Sequence, residues 1–168
     1  GGGWVLGSRV SHDSVARYLA VEAGIDVLVV DYRLAPEHPF PAAIDDALVA
    51  WDYVVENAAH WGFGPKQLVI GGDSAGGNIS AVLAQLLKGR EVQPALQVLL
   101  FPVTDLSRTT ASYEEFAEGY FLTAAHMQWY INHYLADPAD ALDPMASPLL
   151  AEDVSGVAPA FVAVAGFD

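Results

Sequence analysis

The sequence predicts an α/β protein: a mostly parallel sheet with helices on both faces. Two observations carry that prediction. The stretch Leu68–Asn78 runs from an apolar segment through a glycine-rich corner into a helical pattern, with Ile79, Val82, Leu83, Leu86 and Leu87 at i, i+3, i+4, i+7 and i+8. Three further apolar runs, Ile25–Val30, Leu96–Phe101 and Pro159–Phe167, alternate with stretches of helical period, as expected of parallel strands covered on both faces.

Taken in order, Gly1–Gly7 reads as a loop whose backbone is its working part, because successive glycines let two N–H groups point at one spot. From an N-cap at Ser11 or Asp13, a short helix carries Val15, Tyr18, Leu19 and Ala23 on one face and stops at Gly24. His12, near its start, is expected to act locally. Ile25–Val30, interrupted only by Asp26, is then expected as a buried strand. Pro36, Pro39 and Pro41 stiffen the crossing that follows, and Pro41 suits the first turn of a helix with Ile44, Ala47, Leu48, Trp51 and Val55 on its core face. Arg33, Glu37 and His38 in that crossing are expected to satisfy its own structure.

At the corner, Gly72 and Gly76 flank Ser74 two residues away on each side, the G-x-S-x-G pattern of a nucleophile elbow. The tight turn lifts the serine clear of the sheet. The helix behind it leaves unpaired N–H groups and a partial positive charge near the hydroxyl. The next strand ends at Pro102–Asp105, which puts Asp105 at the carboxyl end where open α/β sheets place their chemistry. Residues 106–157 break the alternation and are expected to form a cap insertion and its connection. Thr123 reads as the N-cap of a helix bearing Met127, Tyr130, Ile131, Tyr134 and Leu135, with Tyr120, Phe121 and Trp129 nearby. His126 and His133 share a helix face without metal-ligand spacing and read as surface or packing residues. A last strand delivers Asp168 at its carboxyl end.

Composition narrows the function classes. Seven Lys and Arg against 21 Asp and Glu give a net charge of −14, a field that repels phosphate backbones, so nucleic acid is not an expected partner. No apolar run approaches the ~20 residues of a membrane span. With no cysteine there is no disulfide framework, and a reducing, cytoplasmic compartment is expected. The chain opens at Gly1-Gly2-Gly3 without methionine and ends at Asp168 straight after an apolar run, so an internal fragment is expected.

A serine hydroxyl needs a base, normally an imidazole oriented by a carboxylate, and in this architecture the chain order is Ser, acid, His. Ser74 and Asp168 fit the first two positions. His12, His38 and His60 precede Ser74, and nothing follows Asp168. Asp105 is the alternative acid.

These segments resemble the bacterial hormone-sensitive-lipase family of α/β-hydrolase esterases along essentially the whole chain. Gly1-Gly2-Gly3-Trp4 is similar to its glycine-rich oxyanion motif, Tyr32–Ala43 to a hallmark segment, Gly72–Gly77 to its nucleophile motif, and Gly166-Phe167-Asp168 to the start of its acid motif. The resemblance implies an α/β-hydrolase fold truncated at both ends. It implies hydrolysis of small carboxylic esters of short to medium acyl chain, without cofactor or metal. Ser74 would be the nucleophile, Asp168 the acid, and Gly2, Gly3 and Ala75 the oxyanion donors. With the family's histidine missing, residual activity is expected of this piece, and its parent can pair as a homodimer through a terminal strand that the piece lacks. A receptor-like binding protein on the same fold is the alternative.

Overall fold

The computed structural model describes residues 1–108 and 110–168. Among them, strands β1 (Val69–Asp73), β2 (Leu96–Leu100) and β3 (Ala160–Ala163) pair in parallel in the order β1-β2-β3. Five α-helices accompany them among the described residues: α1 (Asp13–Ala23), α2 (Ala42–Asn57), α3 (Ala75–Leu86), the single turn α4 (Ser112–Glu115) and α5 (Ala124–Tyr134). Asp73 lies opposite Leu100 and Leu100 opposite Ala163, so the three strands end level. Their carboxyl ends therefore open onto one edge, where Ser74, Asp105 and Asp168 follow β1, β2 and β3.

The core forms where the predicted periodicities meet. Ile79, Val82, Leu83 and Leu87 of the α3 segment are buried, as are Ala43, Ile44, Ala47 and Trp51 of α2, and all join one cluster. Each fully buried aliphatic contributes about 1.5–3 kcal/mol. Met127, Ile131 and Tyr134 carry α5 into the same cluster. Thr123 caps α5 as expected, its Oγ1 accepting from the His126 N–H at 3.2 Å. Of the aromatics read on or near this helix, Tyr134 is a core residue that seats it on the body, while Phe121 and Trp129 are exposed.

Buried amides and hydroxyls bind the segment after β2 to this body. Asn78 Nδ2 donates to the carbonyls of Val103 and Ala146, both at 2.8 Å. Ser147 Oγ donates to the Ala141 carbonyl at 2.7 Å and accepts from the Leu106 N–H at 2.8 Å. The first turn of α3, directly behind Ser74, is thereby fixed to residues distant in sequence.

Two expectations fail at the amino-terminal side. α1 forms with its predicted end, Gly24 adopting the left-handed conformation at φ 63°, but the position before it is His12 and none of its residues is buried. Ile25–Val30 pairs with no strand, and Ile25 and Leu28 are each 52% exposed. An apolar run becomes a strand only when a neighbour accepts its ladder, and no described residue does so here. Likewise only Ala160–Ala163 of the last run is a strand, and Phe161 and Val162 at the sheet's edge are exposed. No helix among the described residues is long and apolar enough to cross a membrane.

Candidate active site

Ser74 joins β1 to α3 with φ 52° and ψ −118°. An L residue rarely adopts such angles, at a cost on the order of 1–3 kcal/mol. Crowding over-determines the turn. A side chain on Gly72 would overlap the Gly76 carbonyl, and one on Gly77 would come within 2.9 Å of Pro102 Cβ. The turn is pinned from both sides, the Ser74 N–H donating to the Leu100 carbonyl at 2.9 Å and the Ser74 carbonyl accepting from the Asn78 N–H at 3.0 Å. The serine itself is half-buried, and Ala75 behind it is fully buried at the helix start, where backbone N–H groups lack intrahelical acceptors.

The glycine loop lies against this elbow. Gly1 N donates to Asp73 Oδ1 at 3.1 Å, and the same nitrogen is 3.2 Å from where a Gly76 side chain would begin. Gly2 and Gly3 both have positive φ, 78° and 58°; a side chain on the first would overlap the Leu6 carbonyl and on the second the Tyr130 ring. The loop closes on itself, since the Gly2 carbonyl accepts from Val5 N–H at 3.2 Å and Leu6 N–H at 2.9 Å. No acceptor among the described residues engages the N–H of Gly2 or Gly3. The structure thus brings Gly1, which precedes Gly2 and Gly3, against Asp73 and Gly76 on either side of the Ser74–Ala75 corner.

The two carboxylates differ. Asp105 is buried, and its Oδ1 accepts from the Ser107 N–H at 2.8 Å and the Ser107 Oγ at 2.6 Å. Asp168 is exposed and takes no hydrogen bond among the described residues, while neighbouring Phe167 packs edge-on against Phe116 and stacks on Tyr120. Tyr113 stands near both acids. Its phenol is pushed up by burial, with the Asp105 and Asp168 charges adding to the shift and Arg108 opposing it.

No histidine among the described residues hydrogen-bonds Ser74. His12 sits where α1 begins, its Nδ1 3.0 Å from Ser11 Oγ and 3.2 Å from the Ser8 carbonyl, in the local role expected. His133 Nδ1 is 2.7 Å from the Trp129 carbonyl. Arg33 binds its loop to α2 through a bidentate contact with Asp46, whose carboxyl is held low chiefly by that hydrogen bond. Among the described residues no group of His, Asp and Glu could hold a metal ion.

A family model described as the alpha/beta hydrolase fold matches residues 1–168. The chain belongs to the α/β-hydrolase fold family. Carboxylic ester hydrolase LipN of Mycobacterium tuberculosis is 47% identical to it, over 100% of this chain and 46% of the relative. Ethyl acetate hydrolase of Pseudomonas putida is 45% identical, over 100% of this chain and 54% of the relative. Among solved structures, the ester hydrolase EH1AB1 from the metagenome of Lake Arreo, in complex with a bipyridine phosphonate derivative, superposes with a TM-score of 0.95 at 48% identity. It matches 100% of this chain and 54% of its own. This α/β-hydrolase chain spans about half the length of the curated relatives it matches.

Two residues of this hydrolase site had no role in the sequence reading. Asp73 touches the glycine loop, and Tyr32 Oη donates to the Gly1 carbonyl at 3.0 Å across 31 positions. Asp73 carried a readable signal, a charged residue between glycines at a corner too crowded for side chains. Tyr32 opens the hallmark segment, but its contact with Gly1 carried no signal, because its partner is a backbone atom.

Proposed function

We propose that the full-length protein is a carboxylic-ester hydrolase acting through an acyl-enzyme on Ser74, with small esters of short to medium acyl chain as substrates. The observation that carries this reading is the strained Ser74 at the start of α3, with the glycine loop held against the elbow through Gly1. Ser74 Oγ attacks the ester carbonyl while its proton passes to an imidazole. Negative charge gathers on the carbonyl oxygen, against the N–H groups of Gly2, Gly3 and Ala75. Collapse expels the alcohol, which takes the proton, and water then cleaves the acyl-enzyme by the same route.

Asp168 is the orienting acid in this reading. Its exposed carboxylate, against the buried and locally engaged Asp105, supports that choice. None of the five histidines hydrogen-bonds Ser74, so the reading requires an imidazole from outside these 168 residues. Residues 106–157 act as the cap and its connection. The ester-hydrolase names of the relatives support the substrate class.

The test is a fluorophosphonate probe on the full-length protein, alongside hydrolysis of a short-chain aryl ester. Labelling at Ser74, and loss of both labelling and turnover in Ser74→Ala, is the expected result. A folded protein left unlabelled at that position overturns the reading in favour of a binding protein.

A further inference from the structure

Gly1 is gripped at its nitrogen and at its carbonyl by side chains from two other parts of the chain. On one side the Asp73 carboxylate accepts from Gly1 N at 3.1 Å, and its other oxygen lies so close that any side chain at position 1 would overlap it. The donor in this structure is the Gly1 terminal ammonium, which can turn any of three hydrogens to the carboxylate; where residues precede Gly1 the nitrogen is an amide, and the assignment requires its single N–H to face Asp73. On the other side the Tyr32 hydroxyl donates to the Gly1 carbonyl at 3.0 Å. Burial first, and then the Asp73 charge, push the Tyr32 phenol up to about 12, so it remains a donor at neutral pH. His12 Nε2 stands 3.8 Å from Asp73 Oδ1, beyond hydrogen-bond range, which leaves Gly1 as the carboxylate's close donor among the described residues.

The far end of the loop is anchored as well. Trp4 is buried, and its carbonyl accepts from the Ala35 N–H at 2.9 Å. Between the anchors lie Gly2 and Gly3, whose positive φ angles leave their peptide planes without the steric restraint that an ordinary side chain imposes. The Gly3 N–H shares its peptide plane with the Gly2 carbonyl, which the Val5 and Leu6 N–H groups hold, whereas the Gly2 N–H shares its plane with the Gly1 carbonyl and is oriented from outside the loop by Tyr32. Asp73 is also the neighbour of Ser74, so one residue ties the nucleophile's strand to the loop facing it.

We propose that Asp73 and Tyr32 are positioning residues for the oxyanion loop: Tyr32 holds the Gly1 carbonyl, whose peptide plane carries the Gly2 N–H, and Asp73 anchors the Gly1 nitrogen where the loop starts, so that together they aim the Gly2 N–H toward Ser74. The assignment rests on the esterase reading and deepens it. Neither residue touches the substrate. Each acts through the aim of that donor, so its loss lowers the turnover step while ester binding is kept.

The experiment compares the full-length protein with Asp73→Ala, Asp73→Asn and Tyr32→Phe on an aryl ester and its thiono analogue, whose sulfur depends less on N–H donors. In Asp73→Ala, kcat on the oxygen ester falls about tenfold or more with KM within about twofold. Asp73→Asn, whose amide oxygen still accepts from Gly1, recovers most of the loss. Tyr32→Phe loses about fivefold. In each impaired variant the preference for the oxygen ester over the thiono ester shrinks along with kcat. Should Asp73→Ala not fold, Tyr32→Phe carries the test, since it changes almost no volume. Wild-type kcat and wild-type oxygen preference in folded variants that still label at Ser74 overturn the assignment and leave the esterase reading standing. So does an Asp73→Asn protein as impaired as Asp73→Ala. Failure of the wild-type protein itself to label at Ser74 removes the underlying reading instead.

Discussion

The indole of Trp4 lies face to face with the ring of Tyr134, centroids 4.4 Å apart and planes 6° from parallel. Both residues are 1% exposed, and Phe40 meets Tyr134 edge-on at 5.7 Å. This stack joins the loop carrying Gly2 and Gly3 to α5, so the placement of the candidate donors depends on a helix 120 positions away. Trp4 Nε1 and Tyr134 Oη are both buried without a hydrogen-bond partner among the described residues. Trp4→Ala is expected to cost about 3–5 kcal/mol in denaturant unfolding of the full-length protein. Tyr134→Phe keeps the stack and removes an unpaired hydroxyl, so it is expected to stabilise by about 1 kcal/mol. A Phe variant weaker than wild type by that amount refutes the account of the hydroxyl.

Gly72 offers a sharper steric test. A methyl group there would overlap the Gly76 carbonyl carbon and oxygen and lie 2.9 Å from Gly76 Cα, all backbone atoms of the turn of α3 that follows Ser74. Gly72→Ala is expected to lower stability by about 3 kcal/mol, with loss of turnover because Ser74 moves. Gly166→Ala is the control, since nothing lies within 4 Å of a side chain at that position. Its stability is expected to stay within about 0.5 kcal/mol of wild type. Equal stability of the two variants in thermal unfolding refutes the crowding argument.

What was legible in the sequence is what local spacing encodes. The elbow, the α2 and α3 core faces and the Thr123 cap are visible because each depends on residues within a few positions of one another. Ile25–Val30 misled for the opposite reason: its composition is that of a buried strand, but pairing is a property of the neighbour. Tyr134 was legible as part of the α5 face, but its partners were not, since Trp4 and Phe40 lie about a hundred residues away. At the candidate site, Ser74 is marked by its glycines, whereas the contacts of Tyr32 and Asp73 with Gly1 are tertiary and leave no periodic trace.

The Arg33–Asp46 pair predicts a limited acid sensitivity. Hydrogen bonds from Arg33 are the main cause holding the Asp46 carboxyl below its unfolded value of about 3.9. A depressed carboxyl pKa contributes stability that is present above the unfolded value and fades as pH falls through the folded one. The pair is partly exposed, so the contribution is a small one. Asp46→Asn is therefore expected to lower Tm slightly at pH 7, with the gap to wild type closing below about pH 4. A gap that persists unchanged at pH 3 assigns the effect to packing and not to charge.

The two candidate acids are separated by what each carboxylate already does. Asp105 is 8% exposed and holds the Ser107 N–H and hydroxyl, so its Oδ1 is already engaged in its own turn. Asp168 is exposed at the carboxyl end of the segment after β3, five residues past Ala163, the offset at which Asp105 follows Leu100. An acid that orients an imidazole matters to turnover far more than to folding, because it holds one tautomer and stabilises the imidazolium that forms. In the full-length protein, Asp168→Asn is expected to lower kcat on a short aryl ester by up to about 10⁴-fold with little change in Tm. Asp105→Asn is expected to act the other way, lowering stability by about 1–2 kcal/mol through its buried turn while most of kcat survives. The paired measurement of kcat and Tm on both variants decides it: if Asp105→Asn suffers the larger loss of kcat at unchanged Tm, the imidazole is oriented from the end of β2 and Asp168 is not the acid.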